Sequence, residues 1–110
     1  GAVTLCLTQQ VLAEFYSVVT NPRQVTDPRT SAEALDAIEK FLAMPGMTLL
    51  GVPLDVVSRW IALTRVHPVT RGAIFDHQLA ATMLGNDVRR IYTFNTSDFE
   101  IFSEIEVIKP

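Results

Sequence analysis

Three acidic residues in this sequence stand between large apolar neighbours: Glu14, Asp76 and Asp98. A carboxylate among apolar side chains costs several kcal/mol unless it is paired, hydrogen-bonded or bound to a metal ion. Carboxylate oxygens suit a hard dication such as Mg²⁺ or Mn²⁺, which activates water for attack on phosphate esters. We therefore predict these three residues to be metal ligands of a catalytic centre. The alternative for each residue alone is a helix cap or a solvated surface charge.

The elements that would position these carboxylates alternate between strand-like and helix-like patterns. Short apolar runs predict parallel strands, and amphipathic or apolar segments between capping residues and Pro or Gly breakers predict helices. Thr8 is predicted to cap the first helix, and Thr30 with Glu33 to form a capping box. The predicted strands are 3–7, 47–52, 90–94 and 105–108, and the predicted helices are about 9–19, 31–43, 53–66 and 73–84, with at most one helical turn at 98–102.

This alternation predicts an α/β layer architecture with a parallel sheet, in which the three carboxylates share one edge. Glu14 falls in the first half of the helix after the first strand, and Asp98 falls just after the third strand. Asp76 falls in the first turn of the helix that leads into that third strand. Ligands bind such sheets in the crevice outside the carboxyl ends of the strands. We therefore expect the three carboxylates to face that crevice.

At these residues the sequence resembles a PIN domain, and specifically the VapC-type toxin ribonucleases. The resemblance covers nearly the whole chain and is most specific around Asp76 and Asp98. It implies a three-layer α/β/α fold with a parallel sheet, and an Mg²⁺- or Mn²⁺-dependent endoribonuclease, a hydrolase of RNA phosphodiester bonds. Glu14, Asp76 and Asp98 match the acidic cluster of the family, and Asn95 and Thr93 match polar positions near it. The matching segments are 11–15, 72–82, 93–99 and 105–110.

The resemblance also implies partners. VapC-type toxins form homodimers, are inhibited by a cognate VapB antitoxin, and cleave structured RNA that is often a transfer RNA. The sequence departs from the family because no segment matches the first, central strand and its aspartate. We therefore expect residues 1–110 to be a single PIN-like domain that is N-terminally incomplete, through truncation, proteolysis or exchange with another copy. This chain would then lack one metal ligand and be weak or inactive, and the full-length form would carry the activity.

Four further residues complete the sequence predictions. Arg71, just before Gly72, is a candidate phosphate contact, with a solvated arginine as the alternative. Asn95 either hydrogen-bonds within the site or caps the next turn. His77 adjoins Asp76, but neighbours on a helix point about 100° apart, so we predict a surface or packing role for it and not a general base. Cys6 lies in an apolar run and is predicted to be a buried thiol.

Composition limits the classes of function. The 110 residues are 48% apolar, which favours a folded domain over disorder, and they carry a formal charge of −3. An acidic balance argues against binding nucleic acid through bulk positive charge. We see no apolar stretch of membrane-spanning length and no signal peptide, so we expect a cytoplasmic protein without membrane contact.

Two other classes of function stay open. One is a catalytically impaired PIN relic that acts as a protein-interaction module. The other is a different metal-dependent phosphotransfer domain that shares the parallel sheet. Cleavage of RNA that depends on Mn²⁺ and on Asp76 would separate the nuclease from the relic, and turnover of small phosphate esters without RNA cleavage would indicate the third class.

Overall fold

The structure is a computed structural model that describes residues 4–110 as two compact units, Gly1–Leu50 and Gly51–Pro110. Both units combine helices with one pair of parallel strands. The prediction of an α/β chain with parallel strands is therefore confirmed at this level. The first unit contains β1 (Leu5–Thr8), α1 (Gln9–Val19), α2 (Ser31–Ala43) and β2 (Met47–Leu50); the second contains α3 (Val56–Val66), α4 (Ile74–Gly85), β3 (Arg90–Tyr92) and β4 (Glu106–Ile108).

In the first unit, β1 passes directly into α1 through Thr8. β1 pairs in parallel with β2, so that Leu5 lies opposite Met47 and Thr8 opposite Leu50. Thr8 is extended, and its hydroxyl accepts a hydrogen bond of 3.1 Å from the Val11 N–H, as the sequence predicted. The cap satisfies one of the free N–H groups at the start of the helix. The strand therefore turns into a helix without an intervening loop.

The predicted capping box at the start of α2 is confirmed. The Thr30 hydroxyl accepts a hydrogen bond of 3.1 Å from the Glu33 N–H, and the Thr30 N–H donates to the Glu33 carboxylate at 3.0 Å. α1 contacts α2 through the Phe15 and Phe41 rings, whose centroids lie 5.3 Å apart in an edge-to-face arrangement. The two hydrogen bonds hold the first turn of α2, and the ring contact holds its apolar face against α1.

The first unit buries few side chains. Among residues 4–50, only Thr8 and Ala34 are buried, and several large apolar side chains are exposed. The prediction that β1 is buried on both faces is wrong within the described residues, since Leu5 is 44% exposed and Cys6 only half-buried. The reason is that β1 has one neighbouring strand there, so a single ladder covers it. The predicted strand residue Val3 lies outside the described residues.

In the second unit, the core forms around α4. This helix buries His77, Leu79, Ala80, Ala81, Thr82 and Met83, and the segment before β4 adds Phe99, Phe102 and Ile105. A helix that is apolar on nearly all sides is buried in a core. β3 and β4 pair in parallel, with Arg90 opposite Glu106 and Tyr92 opposite Ile108. α4 is therefore the element around which the second unit packs.

The predicted end of α4 needs a correction. The sequence predicts that Gly85 and Asn86 close the helix; Asn86 is its C-cap, but Gly85 is the last helical residue, and the left-handed residue that follows is Asp87, with φ 57°. The backbone at Gly85 instead approaches the Pro53 ring closely, because a Cβ at position 85 would overlap Cγ of Pro53. The placement of Pro53 in the first turn of α3 is also wrong, since α3 begins at Val56.

All helices in the described part of the chain are short. α2 is the longest, with 13 residues. No helix formed by residues 4–110 has both the length and the apolar character needed to cross a membrane.

We predict that Gly85→Ala destabilises the protein despite the higher helix propensity of alanine. The added methyl group collides with the Pro53 ring, and overpacking of this kind costs about 1–3 kcal/mol of unfolding free energy. Gly51→Ala is the matched control, because a Cβ there meets nothing within 4 Å. Urea unfolding of both variants checks the prediction, and equal stabilities would contradict it.

The capping box makes the stability of the protein depend on the charge of Glu33, and therefore on pH. The Thr30 N–H, and after it the Thr30 hydroxyl, lower the pKa of Glu33 below its usual 4.5, and Arg29 adds a smaller effect. A depressed carboxyl pKa contributes stability that is present above the unfolded-state value and is lost as the pH falls through the folded-state value. We therefore expect wild type to exceed Glu33→Gln in stability near neutral pH, the difference to shrink as the pH falls below 4.5, and to vanish below the lowered folded-state pKa of Glu33.

Glu39→Gln in the same helix is the control, since it removes a charge without touching the capping box. Urea unfolding across the acid range measures the difference between each variant and wild type. A Glu33→Gln difference that persists unchanged into acid would contradict the prediction.

Candidate functional site

Asp76 lies in the first turn of α4 and is half-buried. A 3₁₀ turn, Arg71–Ala73, leads into this helix. No side chain caps the start of α4, whose N-cap residue by position is Ala73. The positive end of the helix dipole favours a negative charge there. The helix therefore places the Asp76 carboxylate at its electropositive end.

Asp98 ends a second 3₁₀ turn, Thr96–Asp98, which follows β3. The Asp98 N–H donates to the Asn95 carbonyl at 3.2 Å, and the Asn95 N–H donates to the Thr93 hydroxyl at 3.1 Å. The Thr93 N–H in turn donates to the Ile108 carbonyl at 3.1 Å, so this segment is anchored to the end of β4. The Asn95 side chain caps nothing, and the predicted capping role for it is wrong.

The residue after each of these two aspartates is a buried ring. His77 follows Asp76 and is 1% exposed, and Phe99 follows Asp98 and is 5% exposed. Both rings contact Phe102, with centroid separations of 5.0 Å from His77 and 6.3 Å from Phe99. We call His67, His77, Phe99 and Phe102 the ring cluster. Through it, the segments that carry Asp76 and Asp98 pack against one another within the second unit.

His77 is held by main-chain carbonyl groups on both sides of its ring. Nε2 lies 3.0 Å from the His67 carbonyl oxygen, and Nδ1 lies 3.3 Å from the Ala73 carbonyl oxygen. The prediction of a packing histidine is confirmed. Sequence reasoning missed its hydrogen-bond partners, and the only signal for them was a polar ring inside an apolar helix, which must find a partner when it is buried.

Glu14 lies in α1 of the first unit and is exposed. Gln10, one helical turn earlier, donates from Nε2 to Glu14 Oε1 at 3.1 Å. The expectation that Glu14 and Asp98 are withdrawn from solvent is wrong, since both are exposed. Successive side chains on a helix point about 100° apart, so apolar neighbours in sequence do not bury the residue between them.

The structure places Asp76 and Asp98 in one unit and Glu14 in the other. Among residues 4–110, no three histidine, cysteine, aspartate or glutamate side chains are grouped closely enough to hold a metal ion. The chemistry of the donors nevertheless fits Mg²⁺ or Mn²⁺, because these ions take one or two carboxylates and complete their shell with water and substrate phosphates. The three-residue metal site stays a prediction.

Arg71 combines an exposed guanidinium with an unusual backbone. Its φ of 58° lies in the left-handed region, which costs a residue with a Cβ roughly 1–2 kcal/mol. Arg71 forms no ion pair within residues 4–110, whereas Arg29, Arg59, Arg89 and Arg90 each pair with a carboxylate. It stands at the entrance to α4, in the turn before Asp76. Strained backbone held in this way clusters at functional sites.

We predict that Arg71→Gly raises the free energy of unfolding by about 1 kcal/mol, because glycine adopts a positive φ without strain. Arg71→Ala is the matched comparison, since it removes the guanidinium but keeps the Cβ that causes the strain. Urea unfolding distinguishes the two variants. An Arg71→Gly variant no more stable than Arg71→Ala would refute the strain.

The chain matches no protein-family model, and no curated protein matches it. The resemblance to PIN domains therefore depends on the segments around Glu14, Asp76 and Asp98 themselves. Function has to be inferred from how these segments are built.

Proposed function

We propose that this chain belongs to a PIN-like, Mg²⁺- or Mn²⁺-dependent endoribonuclease that hydrolyses RNA phosphodiester bonds. The observation that carries the proposal is the ring cluster of the second unit. Asp76 and Asp98 are 22 positions apart in the sequence, but the buried rings that follow them both contact Phe102. Two carboxylates on adjoining segments match the one or two that a hard dication takes from a protein before water and substrate phosphates complete its shell.

The finer fold that we propose is a three-layer α/β/α arrangement with a parallel sheet. Two observations support it. Both strand pairs are parallel, which requires crossover connections such as α1 and α2 supply between β1 and β2. In addition, each described strand pairs with a single neighbour, so β1 and β3 each keep an edge that a further strand can pair with.

In the proposed mechanism, the residues of this chain bind the ion and orient the substrate. Asp76 and Asp98, with Glu14, would hold the ion, and a bound ion would supply activated water and neutralise charge on the phosphate. The Arg71 guanidinium is free to make a bidentate contact with a phosphate. Asn95 and Thr93 set the turn that carries Asp98. Water adds to phosphorus, one P–O bond breaks, and the leaving ribose oxygen takes a proton, so no covalent nucleophile is needed.

We extend the proposal to a toxin of the VapC type, with an RNA substrate such as a transfer RNA, a VapB-like antitoxin and a homodimeric state. What supports protein partners is an apolar groove on the first unit, with a volume of about 420 Å³. Leu35 and Leu49 at its rim are 50% and 52% exposed. Exposed apolar patches of this kind mark interaction sites. The groove is lined by Gln9, Leu12, Ala13, Tyr16, Leu35, Ile38 and Leu49.

The same groove favours a second candidate function, a PIN relic that acts as a protein-interaction module. Such a protein would keep the groove and the fold but not the metal chemistry. The carboxylates would then be ordinary solvated charges. The exposure of Glu14 and Asp98 is consistent with this alternative.

We predict that Asp76→Asn and Asp98→Asn each reduce Mn²⁺-dependent RNA cleavage by at least about a hundredfold, because each removes a charged ligand oxygen. Glu14→Gln is expected to act in the same direction. Asp36→Asn and Glu39→Gln, both exposed on α2, are the matched controls and should cleave like wild type. Cleavage of a mixed RNA pool, followed with and without Mn²⁺, provides the measurement.

Two results would reject the nuclease. One is cleavage by Asp76→Asn at the wild-type rate. The other is an absence of cleavage by this chain and by any longer product of its gene, which favours the relic. Turnover of small phosphate esters without RNA cleavage would instead indicate a different phosphotransfer domain.

A further inference from the structure

His77 is the most buried large side chain of the described residues, and the proposed chemistry does not use it. We propose that His77 is a positioning residue, which holds the turn that carries Asp76 against the segment that carries Asp98. This inference rests on the proposed function, since it gives the two carboxylates a common task.

The His77 ring is hydrogen-bonded to the end of α3. A carbonyl oxygen only accepts, so a ring nitrogen bonded to one must carry a proton. A neutral imidazole carries one such proton, and we assign it to Nε2, which makes the shorter contact, 3.0 Å to the His67 carbonyl oxygen, against 3.3 Å from Nδ1 to the Ala73 carbonyl oxygen. His67 is the C-cap residue of α3. The bond therefore ties the end of α3 to the first turn of α4, across the loop that leads to Arg71.

The His77 ring also contacts Phe102. The His77 and Phe102 rings meet edge to face, with 5.0 Å between centroids and 83° between planes. Phe102 is joined to Phe99 both through ring contact and through its N–H, which donates to the Phe99 carbonyl at 3.1 Å. Phe99 follows Asp98 directly. One face of the cluster thus belongs to the Asp76 turn, and the other belongs to the Asp98 turn.

The burial of His77 excludes a direct catalytic role for its ring. The ring is 1% exposed, and each nitrogen faces a main-chain carbonyl, so His77 has no atom that could reach a substrate. Packing alone would be served by a phenylalanine. The Nε2 proton adds direction, because a hydrogen bond fixes the rotation of the ring as well as its place in the core. Any effect on the ion must therefore pass through the carboxylates.

The experiment compares the same substitution at two histidines that both contact Phe102. His77→Phe keeps a ring and loses the donor, and His67→Phe also keeps a ring but leaves its main-chain carbonyl in place. His77→Gln restores a donor near the Nε2 position. We expect His77→Phe to weaken Mn²⁺ binding and lower kcat by at least about tenfold, with KM for RNA within about threefold of wild type. His77→Gln and His67→Phe should stay within about threefold of wild type in both properties.

Mn²⁺ binding is followed by the electron paramagnetic resonance signal of the free ion, independently of cleavage, and hydrogen exchange reports on the amides of residues 67–77. Faster exchange there in His77→Phe, but not in His67→Phe, supports the proposal. Equal effects of the two phenylalanine variants, or a folded His77→Gln as defective as His77→Phe, would overturn it. If His77→Phe does not fold, His77→Gln must outperform His77→Asn, whose amide sits near the Nδ1 position.

Different results would refute the positioning role of His77 and the proposed nuclease activity. If Asp76→Asn binds Mn²⁺ and cleaves RNA like wild type, the proposed function fails. The exchange data then still decide whether His77 holds the turn. If Asp76→Asn loses both properties and His77→Phe keeps both, the positioning role alone is refuted.

Discussion

A buried imidazole needs a partner for its polar atoms, and the second unit is built to supply one. His77 sits in the core, where an unpaired N–H would cost on the order of 1–3 kcal/mol. The His67 carbonyl satisfies it and can do so only if α3 ends beside the first turn of α4. Phe102 then closes the core over both histidine rings. One polar requirement thus joins the loop between the helices to the start of α4, and ring contacts with Phe102 add the segment that follows Asp98.

The rest of α4 makes this arrangement rigid. Ala80 and Ala81 are fully buried, and their small side chains let neighbouring elements approach the helix closely. At the other end of the helix, Gly85 permits contact with the Pro53 ring. Closely packed protein interiors have low compressibility, so a displacement of one element is passed on to the elements packed against it. The Asp76 turn is accordingly held by the core that α4 forms.

The first unit follows a different principle. Its local signals are strong, since Thr8 and Thr30 each cap a helix, but its core is small. Large apolar side chains such as Leu35 and Leu49 remain at the surface around the groove. Local capping gives the helices their ends, and burial has to provide most of the free energy that holds elements together.

The sequence by itself determined where α1 and α2 begin, that the strands pair in parallel and which acidic residues deserve attention. Those features depend on neighbours within a few positions: the Thr30–Glu33 capping box, the passage from β1 to α1, and the apolar character of α4. It could not determine the exposure of Glu14 and Asp98, the use of Gly85 for close approach or the partner of His77. Each of these depends on which distant segment arrives opposite a given side chain, and only the packed tertiary structure decides that, because burial and hydrogen bonding are shared between residues far apart in the chain.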